Sequence, residues 1–370
     1  MKVLFTIDSL QQGGAEQSLV HTIQHFPEEV DVTVVYLYPK ENLLQQLVAT
    51  GCSIIGLNLT GKWKWLKGVK KLNQIIKNYK PDVLVSCLYD SNIISRIVSK
   101  QTGVPLIGTL VSDSYSSVRI ASFGWKRKIG FYFYYLVDRF TSSIPLVWIA
   151  NSNSIKETNA QKLRIPKDKI EVIYRGRNSA HFWEWSPPND ADGFRFAFIG
   201  RLMETKGLEE LIGAFKTNSE NTPNVFLDIY GEGPFRSRLQ DLIQHHGLSE
   251  KVILHGNVND AWKQLYKAHA FVFPSWYEGF SGALVESMMV GLPIIASDIS
   301  MNLEAVEDDV TAKVHKVKDV LHLTEKMKHV MLNYDASVEL GKKARMIAFE
   351  RFELKNIAIQ YSNMLRDKSK

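Results

Sequence analysis

The stretch 271–298, FVFPSWYEGFSGALVESMMVGLPIIASD, holds two glutamates, Glu278 and Glu286, separated by seven residues. Carboxylates accept hydrogen bonds from hydroxyls, such as those of sugars and riboses, and they repel phosphate. Their surroundings invite the opposite charge. FVFPS reads as a short buried strand closed by a proline, and WYEGFSG as a loop with two glycines. ALVESMMV reads as a helix ended by Gly291 and Pro293, and IIAS as the next strand. The helix start at Ser281–Ala283 offers unpaired backbone N–H groups and the positive end of the helix dipole, which suit a diphosphate. Phosphate donors between hydroxyl acceptors describe a site for a nucleotide sugar. An ordinary strand–helix–strand unit with two surface acids would read the same way.

Two cations have a similar setting. FRFAFIG (194–200) reads as a strand and RLMETKG (201–207) as the loop after it. Arg201 and Lys206 thus stand at a strand's C-terminal end, where α/β sheets bind ligands. Arginine offers a planar fork for phosphate oxygens and lysine a point charge. With the helix start at 281–283 they could neutralise a diphosphate; surface cations with ordinary salt partners are the plainer alternative. Near the start, VLFTID is a strand, LQQGGAEQS a glycine loop and LVHTIQHF a helix. Gly13–Gly14 puts bare backbone beside a helix start. It is not G-x-G-x-x-G, so no dinucleotide site is indicated.

The elements that must carry these residues alternate strand and helix twice, with no sequence repeat between the two halves. That pattern predicts parallel α/β sheets. Residues 1–178 form a first domain. HFWEWSPPNDADGF breaks the alternation with two prolines and polar residues, giving a linker at 179–193. Residues 194–345 form a second domain, and 346–370 a C-terminal helix that can pack back on the first. The DAD at 190–192 resembles a metal motif but has no strand before it.

The 370 residues are 45% hydrophobic and 23% charged, the balance of a soluble globular chain with a full core. Two cysteines, Cys52 and Cys87, fit a reducing compartment and exclude a disulfide scaffold. MKVLFTIDSL runs straight into a strand without the build of a signal peptide. The net charge of +6 is unevenly spread. GKWKWLKGVKKLNQIIKNYK (61–80) has seven lysines and no acid. Leu66, Val69, Leu72, Ile76 and Tyr79 fall on one helical face. That face should pack inward, leaving lysines, Trp63 and Trp65 to meet anionic lipid headgroups. A second basic, aromatic stretch at 123–140 reads either as membrane-facing or as an aromatic core helix. No nucleic-acid motif accompanies either patch.

P-S-x-x-E-G-F-x-x-x-x-x-E around Glu278 and Glu286 resembles the E-x7-E signature of the retaining glycosyltransferases of family 4. FIGRLMETKGLEELIGAF resembles their G-R-x-x-x-x-K-G-x-x-x-L-x-x-A-F segment, IYGEGPFRSRLQ their strand-turn-helix, and HGNV their H-G-x-V. VIYRGRN resembles a segment usually read V-I-P-N-G-V-D, and Gly13–Glu16 their G-G-A-E loop. The resemblance implies the GT-B fold, two Rossmann-like doubly wound domains facing across a cleft. It implies transfer of a hexosyl or N-acetylhexosaminyl group, with retention and without a metal or other cofactor, from a nucleotide diphospho-sugar, expected to be a UDP-sugar. The acceptor is a hydroxyl of a saccharide, expected to be lipid-linked, in polysaccharide or glycoconjugate synthesis. The enzyme would be cytoplasmic and peripheral on the inner membrane face.

Carried over, Arg201 and Lys206 hold the donor diphosphate and Glu286 takes the ribose hydroxyls. Glu278, with backbone of Gly279, Phe280, Ser281 and Gly282, faces the sugar and phosphates. Gly14 approaches the phosphate, and backbone at Gly256 and Asn257 meets the base. Two departures stand out. The loop GTLVSDSYS has Val111 or Ser112 where the family often has histidine, leaving Asp113 as the residue to meet the acceptor. Arg175 replaces the usual asparagine, either to bind an acceptor phosphate or to pair with an acid. Two rival functions, a sugar-nucleotide epimerase of the same fold and a non-catalytic partner subunit, fit the motif set less well. The first lacks acid/base groups beyond Asp113, and the second has no need of an intact Arg201, Lys206, Glu278 and Glu286 set.

Overall fold

The computed structural model describes residues 1–116, 120, 124–189 and 193–369. It divides into two units: Met1–Gly176 with Leu354–Lys370, and Arg177–Glu353. In chain order the first contains β1 (Lys2–Ile7), α1 (Gly14–Ile23), β2 (Asp31–Tyr36), α2 (Leu44–Val48), β3 (Ser53–Gly56), α3 (Lys64–Tyr79) and β4 (Val83–Cys87). It continues with α4 (Tyr89–Thr102), β5 (Leu106–Leu110), α5 (Trp125–Thr141), β6 (Val147–Ala150), α6 (Asn153–Leu163) and β7 (Ile170–Val172). The strands are parallel, in the order β3-β2-β1-β4-β5-β6-β7. VLVSC of β4 and LIGTL of β5 are buried throughout, as strands covered on both faces must be. Ser152 caps α6, its hydroxyl accepting from the Ile155 N–H at 3.1 Å.

The second unit contains β8 (Phe194–Ile199), α7 (Leu208–Asn221), β9 (Val225–Tyr230), α8 (Arg236–His245), β10 (Val252–Gly256), β11 (Ala270–Phe273) and α9 (Gly282–Val290). Then come β12 (Ile294–Ser297), α10 (Ser300–Leu303), β13 (Lys313–His315), α11 (Val320–Leu332) and α12 (Tyr334–Arg351). Its parallel order is β10-β9-β8-β11-β12-β13. Residues Ala261–Lys267 form a 3-10 helix.

Both sheets reverse their direction of growth once, at β1/β4 and at β8/β11. Loops that diverge at such a point leave a crevice at the strands' C-terminal ends.

The boundaries differ from the composition-based ones. The division falls between Gly176 and Arg177, and most of the expected linker is packed on the second unit. Phe182 and Trp185 are buried, the Phe182 ring lies 4.6 Å from that of Trp262, and Arg345 donates to the Phe182 carbonyl at 2.8 Å. Prolines and polar residues advertised a linker, but the aromatic residues between them bury too much surface to stay loose. The DAD motif lies outside the described residues. At the far end, α12 belongs to the second unit, and only from Leu354 does the chain rejoin the first. There α13 (Leu354–Lys368) puts Ile357, Met364 and Leu365 into the core with Val3, Phe5 and Leu19.

Candidate functional site

The site is built on α9. Its body is buried through Leu284, Val285, Met288, Met289 and Val290, which fixes its axis. Gly291, at φ +94°, ends it, and Arg345 donates to the Met289 carbonyl, a cation at the negative end of the dipole. At the other end Ser281 is the N-cap, its hydroxyl accepting from the Leu284 N–H at 3.4 Å. The loop before it is pinned from below: Ser297 Oγ donates to the Ser275 carbonyl at 2.5 Å.

Beside it runs the loop after β8. The Trp276 backbone N–H donates to the Thr205 carbonyl at 2.9 Å. Gly207, at φ +67°, packs so closely on the Pro274 carbonyl that a Cβ would come within 2.2 Å of the oxygen. Two further turns join this edge. The Leu202 N–H donates to the Glu232 carbonyl at 2.9 Å, and the Gly231 N–H to the Gly256 carbonyl at 2.7 Å. The loops carrying Arg201, Lys206, Gly256, Asn257, Glu278 and Ser281 are therefore hydrogen-bonded neighbours at the β8/β11 reversal.

The charges are arranged in pairs. Lys206 and Glu278 form an ion pair, with 16% and 11% of their side chains exposed. Glu286 accepts from Arg177 Nε at 2.7 Å, also largely shielded. Arg201 is exposed and makes no ion pair among the described residues. Three cations against two carboxylates, beside an open helix N-terminus, leave this edge with surplus positive charge fit for an anion. Phe280 is buried against Phe352 with ring centroids 5.3 Å apart, so its backbone is held still.

A model of the glycosyltransferase family 4 domain matches residues 12–181, and one described as glycosyl transferases group 1 matches residues 179–346. This chain belongs to glycosyltransferase family 4. It is 31% identical to an uncharacterized glycosyltransferase of Methanocaldococcus jannaschii over 231 residues, 59% of each chain. The matched stretch thus spans less than two thirds of that relative. It is 26% identical over 270 residues to the UDP-Gal:alpha-D-GlcNAc-diphosphoundecaprenol alpha-1,3-galactosyltransferase of Escherichia coli, covering 70% of this chain and 68% of the relative. The crystal structure of Anabaena HepE in complex with UDP and glucose superposes with a TM-score of 0.85 at 21% identity, covering 99% of this chain and 100% of that one. The two doubly wound units are therefore the GT-B fold.

In the first unit this family 4 chain places its other candidates separately. Gly14 opens α1, and Arg175 lies against it: a Cβ on Gly14 would be 3.0 Å from a guanidinium nitrogen. Burial raises the Glu16 carboxyl, and the charge of Arg175 opposes that rise. Val111, in the strand-end loop, accepts from Asn151 Nδ2 at 3.0 Å, and Ser112 Oγ lies 3.1 Å from Ser114 Oγ. Asp113 is in the same half-buried loop. Two residues escaped the sequence reading. Arg177 had a signal, because VIYRGRN departs from V-I-P-N-G-V-D at four positions and the arginine in place of valine is one of them. Asp8, at the end of β1, had none.

The basic helices correct the expectation in detail. In α3, Leu72 and Ile76 are buried, but Leu66 is 63% exposed and projects outward with Trp63. Trp65 turns inward, donating from Nε1 to Asp90 at 3.1 Å, with its ring 5.7 Å from that of Tyr134 on α5. An indole needs a partner for its N–H when buried, and Asp90 supplies one.

Helix α5 carries aromatic residues on both faces, with Phe131 and Tyr135 packed inward on Tyr115. Trp125, Ile129, Tyr132, Phe133, Leu136 and Phe140 form one exposed stripe, Phe140 at 78%. Its inner face carries Asp138, which is buried, takes the Tyr115 hydroxyl and pairs with Arg96 Nη1 at 2.7 Å. The aromatic-core alternative therefore fails for the stripe. Phe123 lies outside the described residues.

Proposed function

We propose that this chain is a retaining glycosyltransferase that moves a hexosyl or N-acetylhexosaminyl group from a UDP-sugar to a hydroxyl of a lipid-linked saccharide. The observation that carries it is the clustering of Arg201, Lys206, Glu278 and Glu286 around the open N-terminus of α9. The bond from the anomeric carbon to the β-phosphate oxygen breaks, passing through an oxocarbenium-like state. The departing diphosphate gains charge, and Arg201, Lys206 and the N–H groups of Ser281 and Gly282 stabilise it. These fixed cations make a metal unnecessary. The new bond from the acceptor oxygen forms on the face that the phosphate leaves, and the acceptor proton passes to the leaving phosphate oxygen. Glu286 receives the ribose hydroxyls, Glu278 the sugar, and the turn at Gly256 and Asn257 the base. Asp113 and Arg175 of the first unit are assigned to the acceptor.

The donor and acceptor classes follow the relatives' own: HepE holds UDP and glucose, and the E. coli relative is named for a diphosphoundecaprenol acceptor. Supporting a lipid-linked acceptor, the exposed stripe of α5 begins beside Lys126, Arg127 and Lys128, and α3 adds exposed lysines with Trp63 and Leu66. Apolar residues flanked by lysine suit an anionic bilayer surface, which supports a peripheral position on the cytoplasmic face in this reading. No helix among the described residues is long and apolar enough to cross a membrane.

Two assays test this reading. The chain is incubated with a panel of UDP-sugars and a diphosphoundecaprenol-linked acceptor; one donor should give a product whose new linkage keeps the donor's anomeric configuration. An inverted linkage, or no transfer from any donor, would refute it. Separately, the chain should float with vesicles containing anionic phospholipid, and a Phe133→Ser, Phe140→Ser double variant should stay in solution; equal flotation of both would remove α5 from the membrane contact.

A further inference from the structure

Arg177 is the first residue of the second unit and is fastened there by its backbone. Its N–H donates to the Phe352 carbonyl at 2.8 Å, and it bridges to Glu353, where the chain leaves the same unit. Its side chain reaches α9. Nε lies 2.7 Å from Glu286 Oε1, and a Cβ placed on Gly282 would come within 1.8 Å of a guanidinium nitrogen. The guanidinium thus points one terminal nitrogen at the first residue of the helix, into space that glycine leaves open.

This is an unfavourable place for a cation. The N-terminus of a helix carries partial positive charge, and a guanidinium on it is tolerated only with an anion at hand. Glu286, one turn into the helix, is that anion. The arrangement is half of an exchange. A nucleoside diphosphate offers hydroxyls, which satisfy Glu286, and phosphate oxygens, which satisfy both the helix N–H groups and a planar arginine fork.

We propose that Arg177 is a further donor-binding residue, held on Glu286 until a nucleoside diphosphate arrives and then transferred to its phosphate oxygens. This rests on the reading of Glu286 as the ribose contact. It goes beyond that reading, because the segment usually read V-I-P-N-G-V-D has valine at this place and so gives no reason to expect a cation. The ion pair becomes a gate for the intact diphosphate: ribose alone must break it without compensation, whereas ribose and phosphate together replace both partners.

The test compares UDP and uridine on the full chain, UDP by calorimetry and uridine by ligand-observed NMR, with ADP and GDP run beside UDP. Arg177→Met should weaken UDP binding about tenfold or more, the range expected for a charge-assisted hydrogen bond. It should leave uridine binding equal or tighter, because Glu286 is released. If Arg177 only braces Glu286, both ligands should weaken together, and that result overturns the proposal. An unchanged UDP affinity overturns it too. If Arg177→Met does not fold, Arg177→Lys is read on the same ratio; an ammonium has no fork to share, so the preference for UDP over uridine should fall, and an unmoved preference refutes the proposal. A wild-type chain that binds UDP while the variants keep its preference defeats this inference alone. A wild-type chain that binds none of the three diphosphates defeats the donor-site reading beneath it.

Discussion

Helices α4 and α9 hold the same place in their sheets, each following the strand just across the reversal from its unit's first strand, yet their N-termini are furnished oppositely. At α4 the position is filled from within. The Asp8 carboxylate, at the end of β1, accepts from the Ser91 N–H at 2.7 Å and the Asp90 N–H at 3.3 Å. The start of α1 is filled likewise. Glu16 is buried, folds back against Gly13, and accepts from its own backbone N–H. At α9 the residue equivalent to Asp8 is Gly200, followed by Arg201, and the nearest carboxylate on the helix sits a turn further in. A helix start that already holds a protein carboxylate has little left for an outside anion; one flanked by arginine and lysine is waiting for one. Of two sheets with the same winding, only the second keeps its anion position open. Gly14, expected to approach a phosphate, therefore stands at a helix start that Glu16 already serves.

The contrast can be broken or sharpened by four variants. Lys206→Ala should have the largest effect, lowering kcat about 10²- to 10³-fold, as loss of one group that stabilises a developing charge does. Turnover with the best UDP-sugar measures it, and a kcat near wild type would mean that the open helix start is not where charge develops. Glu286→Ala comes next: UDP should lose about tenfold in affinity and most of its protection against thermal unfolding. Glu16→Gln is the counter-experiment. If the first unit's helix start is occupied by its own side chain, UDP affinity should stay within about twofold; a tenfold loss would show that both units bind the donor.

The smallest effect concerns pH. Burial raises the Asp8 carboxyl to about 6, aided by the charge of Asp90 and opposed by the Ser91 and Asp90 hydrogen bonds. Folded Asp8 holds its proton more tightly than the unfolded chain does. Its contribution to stability is complete below the unfolded value and is lost as pH climbs through about 6. Asp8→Asn should remove that component, so the Tm difference between pH 5 and pH 7 should shift toward pH 7 relative to wild type, read by calorimetry. An identical pH profile would show that Asp8 stays ionised in its site.

The sequence made the second unit's site legible because each motif residue sits in or beside a loop bounded by unmistakable elements. FAFIG before Arg201 and FVFPS before Glu278 could be little but buried strands, and ALVESMMV little but a helix, so the strand ends located the chemistry. The pairings were not legible. Nothing in the spacing says that Lys206 meets Glu278, because their loops are brought together by the β8–β11 pairing across 72 residues of chain. Helix α5 misleads for a different reason. Its period of apolar residues is clear, but a period does not say which way the stripe faces. Only the burial of Asp138, held by Arg96 and Tyr115, turns it outward. Trp63 and Trp65 likewise look equivalent until Asp90 takes the indole of one.

Residues 354–368 have a consequence for biogenesis. A ribosome delivers the whole of Arg177–Glu353 before it delivers the helix that covers Phe5 and Leu19, so the domain begun first is completed last. Until then β1 and α1 present an uncovered apolar surface to solvent. A stop codon just after Glu353 would spare every residue of the second unit and still yield a protein that aggregates.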